Sequence, residues 1–123
     1  GLFDMATLNE IHDKLYRAVS LHGGRIDAFF YCPHNQTANC DCRKPKTGMF
    51  REISERFSLS LKSVPAIGDS LRDLQAASRV GALPILVRTG KGEKTIKEGG
   101  VPEETLVFSD LREAADYLIG QIK

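Results

Sequence analysis

The chain has 123 residues, 41% hydrophobic and 27% charged, the make-up of a soluble globular protein long enough to bury the core of one domain. Its 17 basic and 16 acidic side chains leave a formal net charge of +1, which gives no support to a nucleic-acid footprint or a polybasic membrane patch. Apolar runs such as 82–87 are far too short to span a bilayer, nothing resembles a signal peptide, and three cysteines clustered in one segment point to a reducing, cytoplasmic setting.

In chain order, Leu8, Ile11, Leu15 and Val19 share one face of a helix predicted over 7–21. Thr7 and Glu10 make a capping-box pattern, and Gly23-Gly24 supplies the stop. The run 26–31 is apolar and aromatic and reads as a buried strand. Residues 32–46 are polar, carry Pro33 and Pro45, and read as loop. A second helix is predicted over 48–57, with Met49, Phe50, Ile53 and Phe57 facing inward. The run 64–67 reads as a strand ending at Gly68-Asp69, followed by a helix over 71–80 with Gly81 at its end. The run 83–87 is a further strand, and Pro84 argues for an edge position or the first residue of that strand. A glycine-bearing loop over 89–92 leads to a short polar helix at 93–98. A last strand is predicted at 105–108, then a helix capped by Asp110 with Leu111, Ala114, Ala115, Leu118 and Ile122 inward. Strands alternating with helices imply an α/β fold, a largely parallel sheet covered on both sides. Functional groups in such sheets collect beyond the C-terminal strand ends, where Cys32 and Asp69 are expected.

Cys32-Pro33-His34 and Cys40-Asp41-Cys42 form two ligand pairs separated by a short loop. Three thiolates and one imidazole complete a tetrahedral shell, the closed coordination of structural zinc, with no position left for a metal-bound water. The soft sulfur set disfavours magnesium and calcium. A zinc ion would also supply the order that a loop poor in apolar residues cannot supply itself. Isolated reduced cysteines are mostly buried and inert, which suits four soft ligands in a polar loop poorly. A redox pair at Cys40 and Cys42 lacks the usual Cys-x-x-Cys spacing.

Arg43-Lys44-Pro45 follows the last of these ligands without a spacer. A lysine held on a rigid loop can neutralise charge developing on a transferring phosphoryl group, and arginine adds a planar fork for a substrate phosphate or hydroxyl. Alone, such a dipeptide is usually a solvated surface feature. Its company is Pro65-Ala66-Ile67-Gly68-Asp69-Ser70-Leu71-Arg72-Asp73, a strand that presents an aspartate at its C-terminal tip. Asp69 suits a hard cation such as magnesium. Asp73, four residues on, can face the same cavity and hold the metal's waters; otherwise it is an acid favoured by the helix macrodipole. Ser70 offers a hydroxyl and a backbone N–H suited to phosphate.

At these residues the chain resembles the haloacid-dehalogenase superfamily of aspartate-dependent phosphatases. Lys44 resembles that superfamily's third motif, and Gly68-Asp69-Ser70 with Asp73 resembles its fourth. Cys-Pro-His followed by Cys-x-Cys-Arg-Lys-Pro resembles its zinc-loop branch, which acts on a heptose 1,7-bisphosphate at the 7-phosphate or on histidinol phosphate. Lys46-Thr47-Gly48-Met49 and the segment 86–92 look more like the heptose type. The resemblance implies a Rossmannoid parallel sheet carrying a zinc loop. It also implies a magnesium-dependent phosphomonoesterase that works through an aspartyl-phosphate on a sugar phosphate, in the cytoplasm, as a monomer, serving surface-polysaccharide synthesis. In the family the nucleophile, the acid/base aspartate two residues later and a Ser/Thr motif lie N-terminal to the segment seen here. None is found in this chain. The expectation is therefore the C-terminal portion of one phosphatase domain over 1–123, without the central strand that carries the nucleophile and inactive alone. A non-catalytic zinc-binding interaction module is the alternative, and it leaves Asp69 and Lys44 without a purpose.

Overall fold

The computed structural model describes residues 5–31, Lys44 and 46–122, with the side chain of Ile122 excepted. Contacts divide the chain into two compact units, Gly1–Cys40 and Asp41–Lys123.

The first unit holds helix α1, Met5–Leu21. It starts two residues before Thr7, so the expected capping box of Thr7 and Glu10 lies inside the helix. The stop at the glycines is as read: Gly23 adopts φ +80°, and Gly24 N–H donates to the Val19 carbonyl at 3.0 Å. No residue of α1 is buried; Leu8 and Val19 are half-buried, while Ile11 and Leu15 are exposed. The segment 26–31 forms no strand, since a strand exists only through a ladder and no described strand pairs with it. Its aromatic residues pack sideways instead. Phe29 stacks on His12 with ring centroids 4.1 Å apart, and the Tyr31 hydroxyl donates to Met5 Sδ at 3.4 Å.

The second unit runs α2 (Gly48–Phe57), β1 (Pro65–Gly68), α3 (Leu71–Arg79), β2 (Leu83–Val87), α4 (Gly92–Glu98), β3 (Leu106–Phe108) and α5 (Leu111–Ile122). The strands form a parallel sheet in the order β1-β2-β3, the α/β arrangement that alternating strands and helices require. Register pairs Gly68 with Leu86 and Val87 with Phe108, so all three strands end at one edge of the sheet.

Here Pro84 overturns the edge expectation, because β2 is the middle strand and Pro84 is its second residue. The reason is a matter of sides. Leu83 N–H donates towards β1, to the Val64 carbonyl at 2.8 Å, whereas Arg88 N–H donates towards β3, to the Phe108 carbonyl. Alternation places the nitrogen of Pro84 on the β3 side, and β3 begins only opposite Ile85. A missing N–H there costs no ladder bond, so proline is tolerated in a central strand.

The core lies along β2. Ile85 and Val87 pack with Ala114 of α5, joined by Leu83, Leu106, Phe108 and Leu118. Helix α3 covers the opposite face through the fully buried Leu74, Ala76 and Ala77. Ring packing of Tyr117 on Phe108, centroids 5.2 Å apart, extends the α5 side. Two residues expected inward are not: Leu111 is exposed at the start of α5, and Phe57 is exposed at the end of α2. Asp110 caps α5 as read, accepting from Glu113 N–H at 2.8 Å, while the Glu113 side chain returns to Ser109 N–H at 3.0 Å.

Candidate functional site

The parallel sheet delivers its turns to one edge, and two of them, after β1 and after β2, meet around Asp69. Ser70 is the N-cap of α3, in extended backbone, and it forms a full capping box with Asp73. Asp73 N–H donates to Ser70 Oγ at 3.4 Å, and Asp73 Oδ2 accepts from both Asp69 N–H and Ser70 N–H at 3.2 Å. The carboxylate can reach back only because residue 68 is glycine. A Cβ there would stand 2.4 Å from Asp73 Cβ and 2.5 Å from Oδ2.

The other oxygen of Asp73 pairs with Lys44, Nζ to Oδ1 at 2.5 Å, the lysine 43% and the carboxylate 19% exposed. Burial pushes the Asp73 carboxyl up, but the hydrogen bond and charge of Lys44 and the bonds from Ser70 outweigh it. The carboxyl is held below the usual range and stays ionised. Asp73 therefore does two jobs at once: it closes the start of α3 and holds the lysine in place over it. Sequence alone offered it as a holder of metal waters or as a helix-dipole acid. The acid at the helix start is the part this geometry displays.

Asp69 is fixed from the second turn. Its Oδ2 accepts from Lys91 N–H at 3.0 Å, and its backbone carbonyl accepts from the Thr95 hydroxyl at 2.8 Å. Gly90, at φ +61°, clears the carboxylate, since a Cβ would lie 2.4 Å from Asp69 Oδ2. Among the described residues no hydrogen bond engages Oδ1. That leaves an oxygen donor of the hard kind that magnesium accepts, so the residue fits that cation.

Of the residues singled out in the sequence, Lys44, Asp69, Ser70 and Asp73 are thus brought together. Ser70 spends its N–H on Asp73 here. The proposed zinc ligands Cys32, His34, Cys40 and Cys42, and Arg43 with them, lie outside the described residues, within which no cluster of three or more His, Cys, Asp or Glu could hold a metal. Sequence reasoning missed Thr95 and Lys91. The available signal was the pair Gly90 and Gly92 just after a strand, a spacing that marks close approach of backbone.

Comparison with known proteins agrees with the fold. Residues 41–114 match the HAD-hydrolase-like family model. The chain is 55% identical to the D-glycero-beta-D-manno-heptose-1,7-bisphosphate 7-phosphatase of Bordetella bronchiseptica, covering 97% of this chain and 66% of that protein. It is 50% identical to the protein of the same name from Pseudomonas putida, covering 97% and 67%. The crystal structure of the Bordetella bronchiseptica D,D-heptose 1,7-bisphosphate phosphatase complexed with magnesium and phosphate superposes with TM-score 0.94 at 54% identity, over 98% of this chain and 68% of that one. The Burkholderia thailandensis enzyme gives a TM-score of 0.75 at 49% identity, over 96% and 66%. The chain spans about two thirds of the length of the curated relatives it matches. On the family match and these identities together, the chain belongs to the HAD-hydrolase-like family.

Proposed function

We propose that this chain is the C-terminal portion of one phosphatase domain that removes the 7-phosphate of D-glycero-D-manno-heptose 1,7-bisphosphate. The observation that carries the reading is the cluster at the sheet edge: Lys44 ion-paired to Asp73, four residues beyond Asp69 at the tip of β1. It brings a cation for phosphoryl oxygens beside an oxygen donor for a metal, the two charges that phosphoryl transfer needs. The named relatives and the magnesium and phosphate of the Bordetella bronchiseptica structure support the same chemistry. Magnesium held by Asp69 would add positive charge against the phosphoryl oxygens. Lys44 would neutralise a further oxygen, and Arg43 and Ser70 would contact substrate. The nucleophile and the acid/base require an Asp-x-Asp pair, a pattern that these 123 residues do not contain, so the test belongs to the complete protein.

Cys32, His34, Cys40 and Cys42 would hold a structural zinc that anchors the loop aiming Arg43 and Lys44, supported by their soft ligand set and spacing. The setting is cytoplasmic and the role is in lipopolysaccharide heptose supply, with a sugar phosphate as the partner and neither nucleic acid nor membrane involved. No described helix is long and apolar enough to cross a membrane. The experiment is phosphate release from heptose 1,7-bisphosphate and from histidinol phosphate by the complete protein and its Lys44→Ala variant. Heptose turnover that falls at least about a hundredfold in the variant is expected, in line with loss of a charge-stabilising donor. Turnover near the wild-type rate refutes the role of Lys44.

A further inference from the structure

We propose that Thr95 and the Gly90–Lys91 turn are positioning elements that present Asp69 Oδ1 to a divalent cation. The proposal rests on the reading of Asp69 as a cation ligand. Three contacts carry it. The Thr95 hydroxyl donates to the Asp69 backbone carbonyl at 2.8 Å. Lys91 N–H donates to Asp69 Oδ2 at 3.0 Å, which fixes the carboxylate rotation and commits one of its two oxygens. Gly90 sits against that same oxygen in a left-handed conformation, in space that no side chain could share.

Thr95 is 6% exposed, and its hydroxyl has two acceptors in reach, Asp69 O and, at 3.1 Å, Lys91 O. The Lys91 carbonyl is already met by the Thr95 N–H at 3.0 Å, so the helix does not need the hydroxyl there. The nearer acceptor is 26 residues away in sequence, on the tip of another strand. A threonine that served α4 alone would have no use for that contact. Gly92 adds a reason for the geometry: a Cβ at this residue would lie 1.9 Å from the Val87 carbonyl, so α4 starts pressed against the end of β2. This close start is what brings Lys91 N–H and Thr95 within reach of Asp69. A ligand oxygen held by its own backbone and by its partner oxygen loses little freedom when a cation arrives, and that raises affinity.

The test is a titration with manganese, followed by its electron paramagnetic resonance signal, on the complete protein and its Thr95→Val, Thr95→Ser, Gly90→Ala and Asp69→Asn variants. Circular dichroism establishes folding in each. Thr95→Val is expected to weaken manganese by about three- to tenfold, the equivalent of one hydrogen bond, and Thr95→Ser to stay within about twofold of wild type. Gly90→Ala leaves Thr95 in place, lies on an exposed turn and is expected to weaken manganese at least as much. If Thr95→Val does not fold, Gly90→Ala decides alone. Wild-type affinity in either folded variant, or equal weakening by Thr95→Ser and Thr95→Val, overturns the proposal. Wild-type affinity in Asp69→Asn overturns instead the reading of Asp69 on which it stands.

Discussion

Replacing Gly68 by alanine perturbs the site through one methyl group. The added Cβ would meet Asp73 Cβ at 2.4 Å and Oδ2 at 2.5 Å, where ordinary contact begins at 3.4 Å. About 1 Å of movement is needed, and neither side yields cheaply. Gly68 is held in the ladder opposite Leu86, and Asp73 is held in the first turn of α3. The carboxylate must leave, and with it go the bonds from Asp69 and Ser70 N–H. Loss of a helix cap costs about 0.5–2 kcal/mol. The stranded N–H groups add about 1–3 kcal/mol where burial keeps water away. The Lys44 pair adds at most about 1 kcal/mol, because the lysine is 43% exposed. Together the loss should be about 2–6 kcal/mol, a fall in Tm on the order of 10–20 °C for a domain of this size. Urea unfolding at neutral pH measures it, with the slope m unchanged if only the native state is affected. A Gly68→Ala protein within about 0.5 kcal/mol of wild type refutes the claim that Asp73 packs against the glycine.

Two further outcomes follow from charge and from metal. Because the folded Asp73 carboxyl is held below its ordinary range, its contribution is full above about pH 4 and is lost as pH falls through the lower folded value. Wild type should therefore lose more stability than Asp73→Asn between about pH 4 and pH 2 in acid-unfolding curves, and equal losses would exclude the assignment. Zinc determined by inductively coupled plasma mass spectrometry should be about one equivalent per chain in the complete protein, and Cys40→Ser should lower it together with thermal stability. Full zinc in Cys40→Ser removes that residue from the shell.

Much of the fold was legible because its periodicities are local. Helix α2 and strand β2 fall where the apolar spacing puts them, and Gly81, at φ +77°, ends α3 as a glycine there should. What escaped depends on partners distant in sequence. Residues 26–31 have the composition of a strand, but composition cannot supply a ladder. Pro84 reads as an edge residue because a single sequence does not show on which side the next strand begins. Phe57 and Leu111 fit the apolar stripes of their helices and are still 39% and 59% exposed, since a stripe sets a direction and not how far its residues are covered. The place of Asp69 directly beyond β1 was legible from residue type and motif. Thr95 was missed, because Gly90 and Gly92 mark a close approach of backbone and not which hydroxyl meets an acceptor 26 residues upstream.

The commitments around Asp69 differ from those of an ordinary turn. A turn aspartate spends its side chain on its own following backbone. Asp69 instead gives its N–H to Asp73 in the turn after β1, and its carbonyl and one carboxylate oxygen to Thr95 and Lys91 in the segment after β2. Two glycines clear the two carboxylates, Gly68 as the last residue of β1 and Gly90 in the turn beyond β2. Parallel strands make this possible, because only their shared direction brings successive βα turns to the same edge. Gly68 and the capping box thus hold Asp73, while Gly90, the Lys91 N–H and a buried hydroxyl hold Asp69, and an orientation fixed from two segments is what a reaction at that edge would require.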